Sequence, residues 1–302
     1  MPAIVVDDLR KSYGNFQAVR GVSFEVGHGE VFALLGPNGA GKTTTVEILE
    51  GFRERDGGTV RVLDVDPFER STQRALRERL GIVLQECAVE PFLTVREVLQ
   101  RHATFYPAPL PVDEVIAKIG LEEKTDARVK TLSGGQQRRL DVGLGIVGQP
   151  DLIFLDEPTT GFDPNARREA WDMVRNLRAG GTTVLLTTHY MDEAEALADR
   201  VAIIAGGAIV AEGAPDTLGA RDTSAVHIRF ALPPNVEAAD LPVAVTTEHN
   251  GHVAIETTDE VEVLHCLTGW ALTNHHELHG LVVERLTLED VYLRLTAEVH
   301  QP

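Results

Sequence analysis

Cysteine is nearly absent from this chain of 302 residues: Cys87 and Cys266 are the only two, and no Cys-x-x-Cys spacing occurs. A disulfide framework and a structural zinc site are both disfavoured, and a reducing compartment fits. Long apolar runs are missing as well. No stretch approaches the ~18 apolar residues that a membrane helix requires. The best, Val201 to Ala211, is broken by Gly206 and Gly207. Met1 to Arg10 lacks the basic-then-apolar order of a secretory signal. Positive charge is scarce: 28 Lys and Arg stand against 46 Asp and Glu, a formal net charge of −18. Such a surface repels a polyanion, which argues against nucleic acid as a partner. If the chain acts at a membrane, it does so from the water side.

What is abundant is apolar side chain, 43% of the residues, enough for one large domain and a small one. Short strands are expected near Ala3–Leu9 and Val19–Val26, with a turn at Gly14-Asn15. Val31–Leu35 reads as a buried strand, followed by a glycine-rich loop and a helix from Lys42 to about Gly51. Residues 72–130 carry helical patterning and several prolines, and read as an inserted helical subdomain. Strands at Leu152–Leu155 and Thr182–Thr188 each precede a helix, Asn165–Ala179 and Met191–Ala198. This alternation predicts an α/β fold with a mainly parallel sheet. Val201–Ile204 and Ala208–Ala211 flank Gly206-Gly207 as a hairpin.

Composition shifts after residue 218, where eight of the 11 histidines lie. The shift sets the expected boundary: a domain over 1–218 and a small α+β accessory domain over 219–302. In the tail, Asn250-Gly251 signals a hairpin. A helix is expected at Asp259–Leu272, a strand at Leu281–Arg285, and a last helix from Thr287 with Asp290 as its capping-box partner. His275 and His279, four apart, are candidates for one helical face, although no zinc-protease pattern accompanies them.

Chemistry concentrates in a few strings. Gly36-Pro37-Asn38-Gly39-Ala40-Gly41-Lys42-Thr43, followed by Thr44, matches the P-loop pattern between a strand and a helix. Its glycines let backbone N–H groups turn inward on phosphate oxygens, and the helix N-terminus adds positive potential. Lys42 reaches the outer phosphates and Thr43 offers a hydroxyl to magnesium. The strand Leu152–Leu155 ends in Asp156 and Glu157, where α/β sheets place ligands. Asp156 is the candidate magnesium carboxylate. Glu157, expected on the opposite strand face, is the candidate general base for water.

Leu132-Ser133-Gly134-Gly135-Gln136, lying just before that strand, resembles the signature of the ABC ATPases. The resemblance covers about residues 3–215 and implies a P-loop NTPase cassette with antiparallel N-terminal strands and a helical subdomain at about 86–145. It places Tyr13 against adenine. Gln85 falls in the Q-loop, near the magnesium and coupled to the helical subdomain. Asp163, in Gly161-Phe162-Asp163, takes the D-loop position, and His189 that of the switch histidine. Phe162 departs from the leucine common in the family, an apolar exchange. Ser133 with the N–H groups of Gly134 and Gly135 forms a second anion cradle. One chain already has a cradle at Gly36–Thr44, so the second implies a nucleotide sandwich between two chains, a homodimer or paired cassette.

Three strings resemble the daunorubicin-resistance ATP-binding branch: Gln136-Gln137-Arg138-Arg139-Leu140-Asp141, Glu157 through Pro164, and Leu288-Glu289-Asp290-Val291-Tyr292-Leu293. The implied function is ATP hydrolysis with Mg2+, driving drug export through a separate integral-membrane permease from the cytoplasmic face. Gln85 to Val95, with Pro91, Phe92 and Thr94, is the candidate surface for that permease. The alternatives are a cassette for lipid or polysaccharide export, a soluble ABC ATPase acting on ribosomes or DNA, and a non-catalytic regulator. A long coiled-coil insertion or a second cassette marks the soluble class, and replacement of Glu157 or His189 marks the regulator. None of these features occurs here.

Overall fold

Burial on both faces marks the strands at the centre of the main sheet. Every residue of β3 (Val31–Leu35) and β6 (Leu152–Asp156) is buried, which a strand meets only where helices or a second sheet cover both faces. The computed structural model describes residues 1–84, 89–218, 226–249, 251–285 and 288–299. The chain divides into two compact units, Met1–Pro215 with Thr296–Pro302, and Asp216–Leu295.

In the first unit β1 (Ile4–Tyr13) and β2 (Phe16–Val26) form a hairpin, and β4 (Gly57–Val62) joins them in the order β2-β1-β4, all antiparallel. A six-stranded sheet runs β5-β6-β7-β3-β8-β9, with β5 at Leu80–Val83, β7 at Thr183–Thr188, β8 at Arg200–Ala205 and β9 at Ala208–Gly213. All its pairings are parallel except the β8–β9 hairpin. One apolar core joins the two sheets, where Phe24 stacks on Phe32 with ring centroids 5.1 Å apart.

The helices of this unit are α1 (Lys42–Leu49), α2 (Gln73–Glu78), α3 (Val95–Ala103), α4 (Val112–Lys118), α5 (Gly134–Ile146), α6 (Pro164–Ala179) and α7 (Met191–Leu197). Thr94 and Glu97 close a reciprocal capping box at the start of α3, and Ser133 and Gln136 close another at the start of α5. The structure corrects one sequence expectation in this unit and adds one strand. Residues 72–130 are not wholly a helical insertion, because Leu80–Val83 pairs with β6 as an edge strand of the main sheet. Gly57–Val62, unassigned from sequence, is the third strand of the antiparallel sheet.

The second unit is a four-stranded antiparallel sheet, order β11-β12-β10-β13, with β10 at Val226–Ala231, β11 at Thr247–His249, β12 at His252–Thr257 and β13 at Val282–Arg285. β10 alternates buried and more open positions, and its inner face packs on Leu267 of α8 (Glu260–Thr273). β11 and β12 pair through His249 and His252; Asn250 of the expected turn lies outside the described residues. His275 and His279 do not share a helical face: α8 ends at Thr273, and His275 takes φ 56°. The last helix, α9 (Leu288–Val299), follows Thr287, which also lies outside the described residues. Among the described residues no helix is long and apolar enough to cross a membrane.

Candidate nucleotide site

Parallel register brings three functional strings to one edge of the sheet. Leu35 at the end of β3 lies opposite Thr188 of β7, and Asp156 at the end of β6 lies opposite Thr187. The loops leaving β3, β6 and β7 therefore emerge side by side, at the carboxyl end where open α/β sheets bind ligands. They carry Gly36–Gly41, Glu157 and His189.

The glycine loop turns tightly enough to meet β2 of the antiparallel sheet. Gly41, at φ 106°, caps α1, and a Cβ there would lie 2.5 Å from the Ala18 carbonyl oxygen. Only glycine satisfies both the left-handed backbone and that approach. The hairpin glycines brace the loop from behind, since Gly207 N donates to Ala40 O at 3.1 Å. Pro37, Asn38, Gly39 and Thr43 are exposed, while Lys42 is 5% exposed. Lys42 Nζ donates to the carbonyls of Gly36 (2.7 Å) and Pro37 (3.3 Å). Burial holds its ammonium below the ordinary value, and the charges of Glu157 and Asp156 oppose that shift. Thr44 is half-buried beside Thr43 at the same helix start.

Asp156 closes β6 and accepts a hydrogen bond at Oδ1 from the Thr187 hydroxyl. Glu157 follows outside the strand, in a left-handed conformation at φ 45°. This turn, and not strand alternation as expected, separates its side chain from that of Asp156. Glu157 Oε1 lies 3.8 Å from Lys42 Nζ and 3.2 Å from His189 Nδ1. The His189 contact is short but not aligned as a hydrogen bond, so Nδ1 is buried without one. Thr160 Oγ1 donates to Glu157 Oε2 at 3.1 Å.

The signature string reaches the neighbourhood of Glu157 but not the phosphate loop. Ser133 caps α5, and with Gly134, Gly135 and Gln136 it lines a polar groove shared with Glu157, Thr160, Gly161, Phe162 and Asp163. No residue of Gly36–Thr44 lines that groove. Asp163 Oδ1 caps α6, accepting from Asn165 N (2.9 Å) and Ala166 N (3.0 Å). Tyr13, 42% exposed at the end of β1, has Arg53 at 5.2 Å and Lys11 at 5.9 Å from its ring centroid. Gln85 lies outside the described residues.

Two neighbours of the acid pair were not anticipated in functional roles. Arg138, 8% exposed on α5, donates to the carbonyls of Asp156 (2.8 Å), Pro158 (3.3 Å) and Leu84. It ties the signature helix to the strand ends. Its signal was an arginine in step with the buried positions Asp141, Val142 and Gly145 of α5. Thr187 hydrogen-bonds the Asp156 carboxylate and the Glu157 N–H, and left no signal inside a strand where half the residues are threonine.

A phosphate-type loop, two carboxylates at a strand end and a histidine just past the end of the next strand define a nucleoside-triphosphate hydrolase of the P-loop class. Residues 19–160 match the ABC transporter family, and residues 226–287 match a C-terminal domain of ABC transporter domain-containing protein-like members. The chain is 40% identical over 306 residues to the Nod factor export ATP-binding protein I of Paraburkholderia xenovorans, covering 99% of this chain and 98% of the relative. It is 36% identical over 306 residues to the daunorubicin resistance ATP-binding protein DrrA3 of Streptomyces coeruleorubidus, covering 98% and 96%. Among solved structures, cbiO1 from Clostridium perfringens, part of the ABC transporter complex cbiONQ, superposes with a TM-score of 0.65 at 27% identity. That match covers 71% of this chain and 89% of cbiO1. The chain belongs to the ATP-binding proteins of ABC transporters, which hydrolyse ATP to power transport.

Proposed function

We propose that this chain is the ATP-hydrolysing subunit of an exporter, paired with a second copy of itself and driving a separate membrane permease from the cytoplasmic face. The names of its relatives, Nod factor export and daunorubicin resistance, support export. The daunorubicin relative supports a drug or other hydrophobic small molecule as cargo. In this reading residues 1–218 are the cassette and residues 219–302 an accessory domain.

The observation that carries the hydrolytic assignment is the position of Glu157 Oε1, between Lys42 of the phosphate loop and His189 just past the end of β7. ATP phosphates displace the loop carbonyls from Lys42, which then neutralises their charge together with the loop N–H groups. Tyr13 offers its exposed ring to the adenine. Magnesium fits the donors present: Thr43 is an exposed hydroxyl at the helix start, and Asp156 is a nearly buried carboxylate with one oxygen pinned by Thr187. Thr43 and Asp156 would hold the ion, with Gln85 assigned to the same cluster, and the ion would neutralise charge on the phosphate oxygens. Glu157 orients a water and takes its proton as the water oxygen bonds to the γ-phosphorus and the bond to the β-phosphate oxygen breaks. His189 holds the transferred phosphate. Asp163 sits at the rim facing the second chain.

The signature groove supports the dimer. Ser133, Gly134 and Gly135 form an anion cradle, and none of this chain's phosphate-loop residues lines it. A second chain, paired head to tail, supplies the γ-phosphate, and loss of that phosphate opens the pair.

The test is Glu157→Gln. In purified protein we expect turnover to fall by about 10²-fold or more, with ATP still bound and the dimer accumulating. Cells carrying the variant beside its permease should accumulate daunorubicin as cells lacking the chain do. Normal hydrolysis by the variant would overturn the role of Glu157. Normal accumulation with hydrolysis abolished would overturn the cargo.

A further inference from the structure

We propose that Thr187 is a positioning residue for hydrolysis, its one hydroxyl fixing Asp156 and Glu157 relative to each other. The inference rests on the reading of those two residues as the metal and water carboxylates.

Thr187 sits on β7, between β6 and β3, and is completely buried. Its strand neighbours Leu185 and Leu186 are apolar and equally buried, and Leu34 of β3 lies opposite in register. Packing at such a position asks for a β-branched side chain, which valine supplies with the same outline. Threonine adds a hydroxyl that must find partners there. It finds them on the two acids. Oγ1 donates to Asp156 Oδ1 and accepts the Glu157 N–H at 3.2 Å. The Thr187 carbonyl accepts the same N–H at 3.1 Å.

Both bonds act on geometry that the chemistry needs. Pinning Oδ1 fixes the rotation of the Asp156 carboxylate, and so the direction in which Oδ2 faces a cation. Anchoring the Glu157 N–H holds a backbone turn at φ 45°. A side-chain-bearing residue keeps that conformation only where its surroundings hold it. The turn carries Glu157 to its position 3.8 Å from Lys42 and 3.2 Å from His189. Thr187 touches neither phosphate nor water in this scheme; it acts through the two carboxylates.

Two substitutions separate hydroxyl from shape. Thr187→Val keeps the outline and removes the hydroxyl, and Thr187→Ser keeps the hydroxyl and removes the methyl. Steady-state ATPase rates of the full chain, taken against both ATP and Mg2+, are compared for wild type, both variants and Glu157→Gln. Melting temperature and equilibrium ATP binding are measured on the same samples. Misplacing a reacting group by a fraction of an ångström to an ångström predicts a kcat loss of roughly 10- to 100-fold for Thr187→Val. Its Mg2+ midpoint should rise severalfold, while ATP affinity stays within about twofold of wild type. Thr187→Ser should keep kcat within about twofold even though the lost methyl lowers its melting temperature. A purely structural role gives the reverse order, with the serine variant worse in both stability and rate. If Thr187→Val turns over at the wild-type rate and Mg2+ midpoint while Glu157→Gln is dead, Thr187 has no positioning role and the acid-pair reading survives. If Glu157→Gln itself turns over normally, the acid-pair reading fails and takes this inference with it.

Discussion

Glu50 is buried to 3% exposure at the end of α1, and neither carboxyl oxygen has a hydrogen-bond partner among the described residues. Burial, with the negative charges of Asp156 and Glu47 adding to it, pushes its pKa from 4.5 up to about 8. The folded chain therefore holds a proton at neutral pH that the unfolded chain releases. Whatever stability this group contributes is complete below about pH 4.5 and is lost as pH rises through about 8. Glu50→Gln, neutral at every pH, should match wild type near pH 5 and be more stable by about 2–4 kcal/mol above pH 8. Denaturant unfolding of both proteins from pH 5 to 9 measures this, and a stability difference independent of pH would refute the buried, protonated state. At this same scale the sequence was uneven. Lys42, Asp156, Glu157 and His189 were legible because each stands at a fixed place in a string. Glu50 was not, since helix periodicity shows a face and not its depth. Thr187 was hidden for a related reason: in Thr183–Thr188 a threonine is indistinguishable from any β-branched strand residue. The left-handed turn at Glu157 was equally silent, because nothing in a glutamate announces positive φ.

Between residue and molecule, the position of the signature helix depends on how closely α5 approaches the sheet. A Cβ built on Gly81 of β5 would lie 2.4 Å from the Gly145 carbonyl oxygen of α5. One on Gly145 would lie 2.9 Å from the Val83 side chain. Helix and strand thus touch backbone to backbone, and Arg138 reaches from this helix to the carbonyls of Leu84, Asp156 and Pro158. Gly81→Ala forces α5 outward, because the obstacle is a main-chain oxygen that no rotamer change can move. Overpacking of this kind costs about 1–3 kcal/mol, or several degrees in melting temperature for a unit of this size. We expect a larger fractional loss of ATPase rate than of ATP binding, since the helix carries Ser133 and not the phosphate loop. An unchanged melting temperature would show that the contact is not close. The same glycine explains why β5 was missed from sequence. Four residues with a glycine second, set in a helical neighbourhood, carry too little alternation to register. β4 opens on Gly57-Gly58 and was missed likewise, whereas β3, all apolar, and β6, apolar as far as Leu155, were plain. The start of α5 was legible as a helix N-terminus at Ser133, whereas the capping pair of Thr94 and Glu97 at the start of α3 went unread.

For the whole molecule the decisive claim is that each hydrolytic site is built from two chains: Lys42 of one and Ser133 of the other. If so, defects in the two residues complement each other in trans. A chain with Lys42→Ala has a defective phosphate loop and an intact signature, and a chain with Ser133→Arg has the converse. In a pure dimer of either variant both sites contain one defect, so both proteins are inactive alone. In a mixed pair the two defects meet in one site, and the other is assembled from wild-type parts. Random pairing of equal amounts makes half of the dimers mixed, each with one good site of two. Independent sites then restore up to roughly a quarter of the wild-type rate. Sites that must fire together restore less, and strictly intrachain hydrolysis restores nothing. The readout is the ATPase rate of the mixture against the mean of the separate proteins, at concentrations where the Glu157→Gln protein is dimeric with ATP. A mixture no faster than that mean would leave two readings, that neither site fires without the other or that all the hydrolytic groups lie in one chain, and in the second the groove at Ser133 would need another explanation.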